Sequence, residues 1–343
     1  MKKNNDIFSA SLQSFFLDYL PKERGYSSHT IRAYRDTFVL LFEFYDDVHG
    51  VDPDKITVES ISRSSIAAFL EWLESKKGNS VRTRNLRRAA ICSFCKYMMY
   101  EDPTHIDIWK SIRSIPIKRG IKDTVNYLSV EGMTLLLNQI EKGTRNGLRN
   151  FAMLSLLYYT GIRVQELIDL TPSSIRKEEP YGVEVMGKGK KKRFVPIMED
   201  MRNLIEEYME VFSLKEPHMS YHPLFFNSWG EKLTNPGVAY LVRKYAGKAR
   251  IFNPNIIPDK ISPHSFRHSR AMHLLQGGEE LIYIRDMLGH VSVQTTEIYA
   301  RVDSKHKREA MEKAYSSIVN FAPSQRQWDD NPKLLQILKN ICK

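Results

Sequence analysis

Apolar residues recur at three- and four-residue spacing through the first hundred positions. Phe8–Leu20 carries Leu12, Phe15, Phe16 and Tyr19 on one face, which predicts an amphipathic helix closed by Pro21 and Gly25. Ser28 is an N-cap residue type ahead of a helix running to Tyr45, with Ile31, Tyr34, Phe38, Leu41 and Phe42 inward. Ser64–Ser75 and Ser80–Tyr100 repeat the pattern, so this half reads as a small bundle of four helices. Ile112–Asn126 holds Pro116 and Gly120, is basic and has no apolar stripe. It reads as a linker, long enough for the two halves to lie on opposite sides of a rod-like partner.

Beyond Leu128 the pattern is mixed. Ser129 caps a predicted helix through Ile140, and Leu148–Tyr159 is a helix ended by Gly161. Gly182–Met186 and Arg193–Ile197 alternate around Gly187–Lys192, which predicts a β-hairpin. Helices are expected again at Met201–Phe212, Pro236–Ala246, Pro263–Gln276, Glu279–Leu288 and Ser292–Tyr299. The fold class is therefore mainly α with a small antiparallel sheet. After a loose stretch, Ala322–Asp330, the Asn331–Pro332 pair opens a short helix with Leu334, Leu335, Ile337, Leu338 and Ile341 on one face. Such a helix is too short to fold alone.

Composition narrows the function. At 343 residues the chain suggests two domains, and 42% hydrophobic with 11% aromatic residues excludes a disordered polyelectrolyte. The longest apolar stretches, such as Phe151–Tyr159, fall short of the ~20 residues a membrane helix needs, and the polar start, Met1 to Asp6, does not read as a secretory signal. Fifty-one Lys and Arg against 40 Asp and Glu leave a net charge of +11, which favours an anionic partner, nucleic acid first. Cys92, Cys95 and Cys342 are too few for a disulfide framework and fit a reducing cytoplasm.

Four phrases hold candidate chemistry. In Thr160–Leu167, Gly161 ends one helix and Arg163 begins the next, with Glu166 a turn later. A cation near a helix N-terminus calls for a compensating anion, either Glu166 or a phosphate. Lys188–Arg193 places five basic residues in six positions on a tight turn, which suits either a solvated surface or a nucleic-acid groove. Ser262 and Pro263 open a helix with His264 and Arg267 one turn apart, where unpaired backbone N–H groups favour an anion. Leu288–Gly289–His290 precedes Tyr299, a residue that becomes a nucleophile only where cations stabilise its developing charge. Each phrase alone reads as readily as packing or a surface ion pair. Together they supply two Arg, a Lys, two His and one Tyr suited to a single phosphodiester, without an acidic cluster for magnesium. A zinc hydrolase built on His264, His268 and His273 is disfavoured by the absence of a HExxH glutamate and by the cation of Arg267. Cys92 and Cys95 lack a second pair and read as core residues.

These phrases, TGIRVQEL, GKGKKKRFVP, PHSFRHSRA and LGHVSVQTTEIYARV, resemble the tyrosine recombinase (phage integrase) family in order and content. The segment FFLDYLPKERGYSSHTIRAYRDTFVLLFEF resembles that family's helical core-binding domain. The resemblance implies a SAM-like DNA-binding domain at 1–111, a linker at 112–126, a catalytic domain at 127–322 and a tail helix within 323–343, the two domains closing as a C-shaped clamp on DNA. It implies that Tyr299 attacks a DNA phosphate to leave a 3′-phosphotyrosyl link, that Arg163 and Arg267 clamp the non-bridging oxygens, and that Lys188 protonates the leaving 5′-oxygen, with Lys190, Lys191 and Lys192 beside it. His264 would assist proton transfer at Tyr299, His290 would bond a phosphate oxygen, and Glu166 would orient Arg163 or His264. His268 matches a structural histidine. Arg82, Arg84, Arg87, Arg88, Lys190 and Lys192 become candidate DNA contacts. No cofactor is implied. The implied partners are duplex DNA with paired inverted core sites, a homotetramer joined through the 331–343 helix, with docking of that helix on its own protomer as the alternative, and an accessory directionality protein. A separate arm-binding domain ahead of the core-binding domain is not expected. The expected role is the integrase or transposase of a mobile element in a bacterial cytoplasm. Resolution of chromosome or plasmid dimers is the alternative, and a non-catalytic DNA-binding protein of the same fold is the rival from another class.

Overall fold

The computed structural model describes residues 3–120, 126–187, 191–289 and 292–302. It divides into two compact units, Met1–Asp123 and Thr124–Lys343.

The first unit is helical. Helix α1 (Lys3–Ser14) runs into a wider, π-type stretch (Phe15–Glu23) and is followed by α2 (Ser28–His49), α3 (Arg63–Ser75), α4 (Val81–Glu101) and α5 (Ile106–Arg113). Pro21, expected to stop the first helix, is carried inside the wide turns, which close with a bond from the Arg24 N–H to the Tyr19 carbonyl at 2.9 Å. Helix α2 is capped one residue earlier than expected, because the Ser27 hydroxyl accepts from the Thr30 N–H. Ser62 and Ser80 cap α3 and α4 in the same way. Phe15, Phe38 and Phe94 meet edge to face, with Phe15 and Phe38 each centred 5.2 Å from Phe94.

The fifth helix was not anticipated, since Asp102 and Pro103 interrupt the pattern just before it. Trp109, Ile112 and Ile115 are buried in this core. The expected linker thus begins inside packed structure. Arg88 donates to the Ile115 and Arg113 carbonyls at 2.5 and 3.0 Å, and Asn85 exchanges bonds with the Lys118 backbone.

The second unit contains α6 (Val130–Asn138), α7 (Arg145–Thr160), α8 (Val164–Ile168), strands β1 (Ile175–Arg176), β2 (Gly182–Met186) and β3 (Lys192–Pro196), then α9 (Glu199–Val211), α10 (Asn235–Phe252), α11 (Pro263–Gln276), α12 (Leu281–Leu288), a 3-10 turn (Val293–Thr295) and α13 (Glu297–Val302). The sheet is antiparallel in the order β1-β2-β3, with Val183 opposite Val195. Strand β1 was missed because two residues are too few to display alternation. Helix α7 is buried along most of its length and packs against α9 and α11. Ser269 and His273 of α11 hold the start of the unit: the Leu128 N–H donates to the Ser269 hydroxyl at 2.8 Å, and His273 Nε2 donates to the Leu128 carbonyl at 2.9 Å. The helix expected at 292–299 is broken at Thr296, because Ser292 caps only a short turn before α13 starts. Among the described residues no helix is long and apolar enough to cross a membrane.

Candidate active site

Helix α7 ends at Gly161, whose φ of +59° suits the residue without a side chain. The chain turns at once into α8, with Arg163 at its N-cap position. The Arg163 N–H donates to Glu166 Oε2 and its Nη1 to Oε1, both at 2.8 Å, while Nη2 reaches the Gly289 carbonyl at 3.2 Å. The guanidinium therefore lies at the C-terminal end of α12, where a cation meets the negative end of a helix dipole and an orphan carbonyl. This resolves the apparent conflict of an arginine at a helix start.

Arg267 completes the same seam from α11. It is 2% exposed and donates to the Gly161 and Leu288 carbonyls, each at 2.7 Å. It thus joins the C-terminal ends of α7 and α12. Burial, and then the neighbouring charge of Arg163, lower its pKa to about 10, so it stays a cation at neutral pH. These two bonds use only part of a guanidinium's donor set.

Glu166 is 6% exposed and is the anion at the centre. Burial works to raise its pKa, but the side-chain bond from Arg193, the Arg163 N–H, the charge of Arg193 and the side-chain bond from Arg163 outweigh it and hold the carboxyl below its ordinary value. Glu166 holds Arg163, one of its two expected partners, and Arg193 in addition. Arg193 had been absorbed into a basic loop. Its signal was alternation, since it shares the inward face of β3 with buried Val195 while Lys192, Phe194 and Pro196 are exposed.

Tyr299 is 1% exposed and packs with Ala271, Met272, Ile284 and Leu288. Its hydroxyl shares a hydrogen bond with His268 Nδ1 at 2.8 Å. Burial raises the phenol to about 12, against the opposing effect of Arg267. Burial, then His264, then Arg267 lower His268 to about 4. The His264 ring stands edge-on to His268 with centroids 5.2 Å apart. The partner at the phenol is therefore the histidine read as structural, one turn along from His264.

Lys188, Lys190, His290 and the 331–343 helix lie outside the described residues. Lys192 is exposed at the start of β3. In the first unit, Arg82 is exposed, whereas its neighbours bond to the protein itself. Arg84 reaches the Pro116 carbonyl, Arg87 donates to the Ala33 carbonyl at 2.8 Å, and Arg88 closes the end of α5. His273 is occupied by Leu128 and by the Tyr158 hydroxyl, and the described residues contain no group of three or more metal-type ligands.

The phage integrase family profile matches residues 126–306, and the profile "Phage integrase, N-terminal SAM-like domain" matches residues 14–102. The chain is 34% identical to a putative integrase/recombinase, y4rC, of Sinorhizobium fredii, across 96% of this chain and 97% of that protein. It is 32% identical to tyrosine recombinase XerC of Thermodesulfovibrio yellowstonii, across 88% and 94%. Among solved structures it superposes on the Tn1549 transposon integrase in complex with transposon right end DNA, with a TM-score of 0.70 at 15% identity, across 90% of this chain and 99% of that one. This last likeness concerns the fold.

Proposed function

Because the chain belongs to the phage integrase family and is a tyrosine site-specific recombinase, we propose that Tyr299 is its nucleophile and that the arginine seam around Glu166 receives the DNA phosphate. The phenol oxygen attacks phosphorus in line, leaving a 3′-phosphotyrosyl link and a free 5′-hydroxyl. The diester bond energy is retained in that link, so rejoining needs no nucleotide hydrolysis. Arg163 and Arg267 donate to the non-bridging oxygens and stabilise the charge that grows in the transition state. Loss of one such donor costs roughly a hundredfold or more in rate. Lys188 supplies the proton to the leaving oxygen, His264 assists proton transfer, and His290 bonds a phosphate oxygen. Glu166 holds Arg163 in place.

The observation that carries this reading is the convergence of Arg163, Arg267 and Tyr299 on the C-terminal ends of α7 and α12. Arg267 donates to the carbonyl of Leu288, which shares a buried cluster with Tyr299, and its charge acts on the phenol. The test begins with sequencing of the junctions this protein makes in cells, which identifies the core site. A nicked duplex of that site then traps the covalent adduct. Tyr299→Phe is expected to bind the duplex and form no adduct. A normal adduct from this variant refutes the assignment.

We assign the biological role to a mobile element, in a bacterial cytoplasm, supported by the similarity to an integrase/recombinase along nearly the full chain. Similarity to XerC keeps dimer resolution as the second reading, and the same junction sequences separate the two. The working form is proposed to be a homotetramer on paired sites, with the 331–343 helix seated on a neighbouring protomer. Deleting 331–343 is expected to leave single-site binding intact and abolish synapsis.

A further inference from the structure

We propose that His268 is a catalytic residue of this recombinase, the group that takes the proton from Tyr299 as the phenol attacks. The inference rests on the reading of Tyr299 as nucleophile and adds to it the fate of the hydroxyl proton.

Three observations carry it. First, Nδ1 of His268 lies 2.8 Å from the phenol oxygen, within the reach a general base requires. Second, Tyr299 is 1% exposed, so the imidazole stands at the phenol oxygen where bulk water does not reach. Third, the two groups titrate in opposite directions. Burial keeps the imidazole neutral and the phenol protonated at pH 7, and in the tautomer with its hydrogen on Nε2 the ring offers the Nδ1 lone pair to the phenol.

His273, on the same helix, shows what a histidine built into the fold looks like. Both its ring nitrogens are engaged, by the Leu128 carbonyl and the Tyr158 hydroxyl. His268 instead presents Nδ1 to the reacting atom.

The step balances without a redox partner. The Tyr299 O–H bond breaks and its proton passes to Nδ1. The oxygen pair forms the bond to phosphorus, the bond to the 5′-oxygen breaks, and that oxygen takes a proton from the general acid assigned to Lys188. The resulting imidazolium sits beside the anionic phosphotyrosyl diester, which favours it. In rejoining, the 5′-hydroxyl attacks, the phenolate leaves, and His268 returns the proton.

The test measures single-turnover adduct formation on the nicked core-site duplex, with DNA retention and melting temperature recorded for each variant. His268→Asn keeps an oxygen acceptor near the position of Nδ1 but offers no useful basicity. It is expected to fold, to bind DNA as the parent does, and to form adduct about a hundredfold more slowly. Added imidazoles are expected to restore His268→Ala, with rates that rise with the basicity of the imidazole. A duplex whose leaving 5′-oxygen is replaced by sulfur needs no proton on departure, and the His268→Asn defect is expected to persist on it. Wild-type adduct rates in His268→Asn overturn the proposal. So do faster rates, which would make His268 a restraint on the phenol, and so does disappearance of the defect on the sulfur duplex. A dead Tyr299→Phe beside a fully active His268→Asn removes only this inference, whereas an active Tyr299→Phe removes the nucleophile reading itself.

Discussion

Arg193 donates to both carboxylate oxygens of Glu166, at 3.0 and 2.7 Å, from a strand 27 residues away in sequence. The same carboxylate fixes Arg163, so the hairpin and the start of α8 are clamped through one anion. Arg193→Lys retains the charge and loses the fork. It is expected to reduce adduct formation about tenfold with unchanged DNA retention. Glu166→Ala leaves two partly buried guanidinium groups without their anion and is expected to lower stability by about 3 kcal/mol in urea unfolding.

Gly161→Ala tests the seam from its backbone side. A Cβ there would stand 2.8 Å from Leu288 Cδ2, on a residue at φ +59°. The left-handed conformation alone costs roughly 1–2 kcal/mol with a side chain present. Because the Gly161 carbonyl accepts from Arg267, the variant is expected to lose both stability and cleavage, measured by urea unfolding and by adduct trapping.

Stability should fall in mild acid. Burial, followed by its charged neighbours, brings His268 down to about 4. Burial also lowers His273, against the opposing bond to Leu128. Both histidines are depressed in the folded state, so the unfolded chain binds protons first. The stability is present above about pH 6.5 and is lost as pH drops toward 4, by at most about 1.4 kcal/mol per unit per histidine. Unfolding midpoints at pH 7, 5.5 and 4.5 should show this slope, and His268→Asn should flatten it.

The arginines of α4 should separate into two classes. Arg82 is exposed, and Arg82→Ala is expected to weaken DNA binding uniformly and reduce the salt slope by about one. Arg87 and Arg88 bond to the carbonyls of Ala33 and of Ile115 and Arg113. Their alanine variants are expected to lower the melting temperature. Thermal unfolding beside a salt titration of binding distinguishes the outcomes.

Much of the architecture was readable wherever a local signal marked both ends of an element. Pro263–Gln276 was placed to the residue because Ser262, Pro263 and Gly277 bracket it. Helix α5 and strand β1 escaped, one following a Pro-interrupted turn and the other only two residues long. Within the site, helical spacing put His264, Arg267 and His268 on one face. Spacing alone does not say which imidazole meets a phenol 31 residues later. Arg193 was obscured for a different reason: in a run of basic residues, inward and outward side chains look alike until the strand's phase is known.

The helix that carries His264, Arg267 and His268 on one side holds Leu128 with Ser269 and His273 on the other. Both tasks are set by rotation about a single axis. One residue inserted or deleted between Ser262 and His273 turns everything past it by about 100°. The phenol would then lose its imidazole, or the beginning of the unit would lose its anchor. This stretch is therefore open to drift by exchange of side chains and closed to gaps.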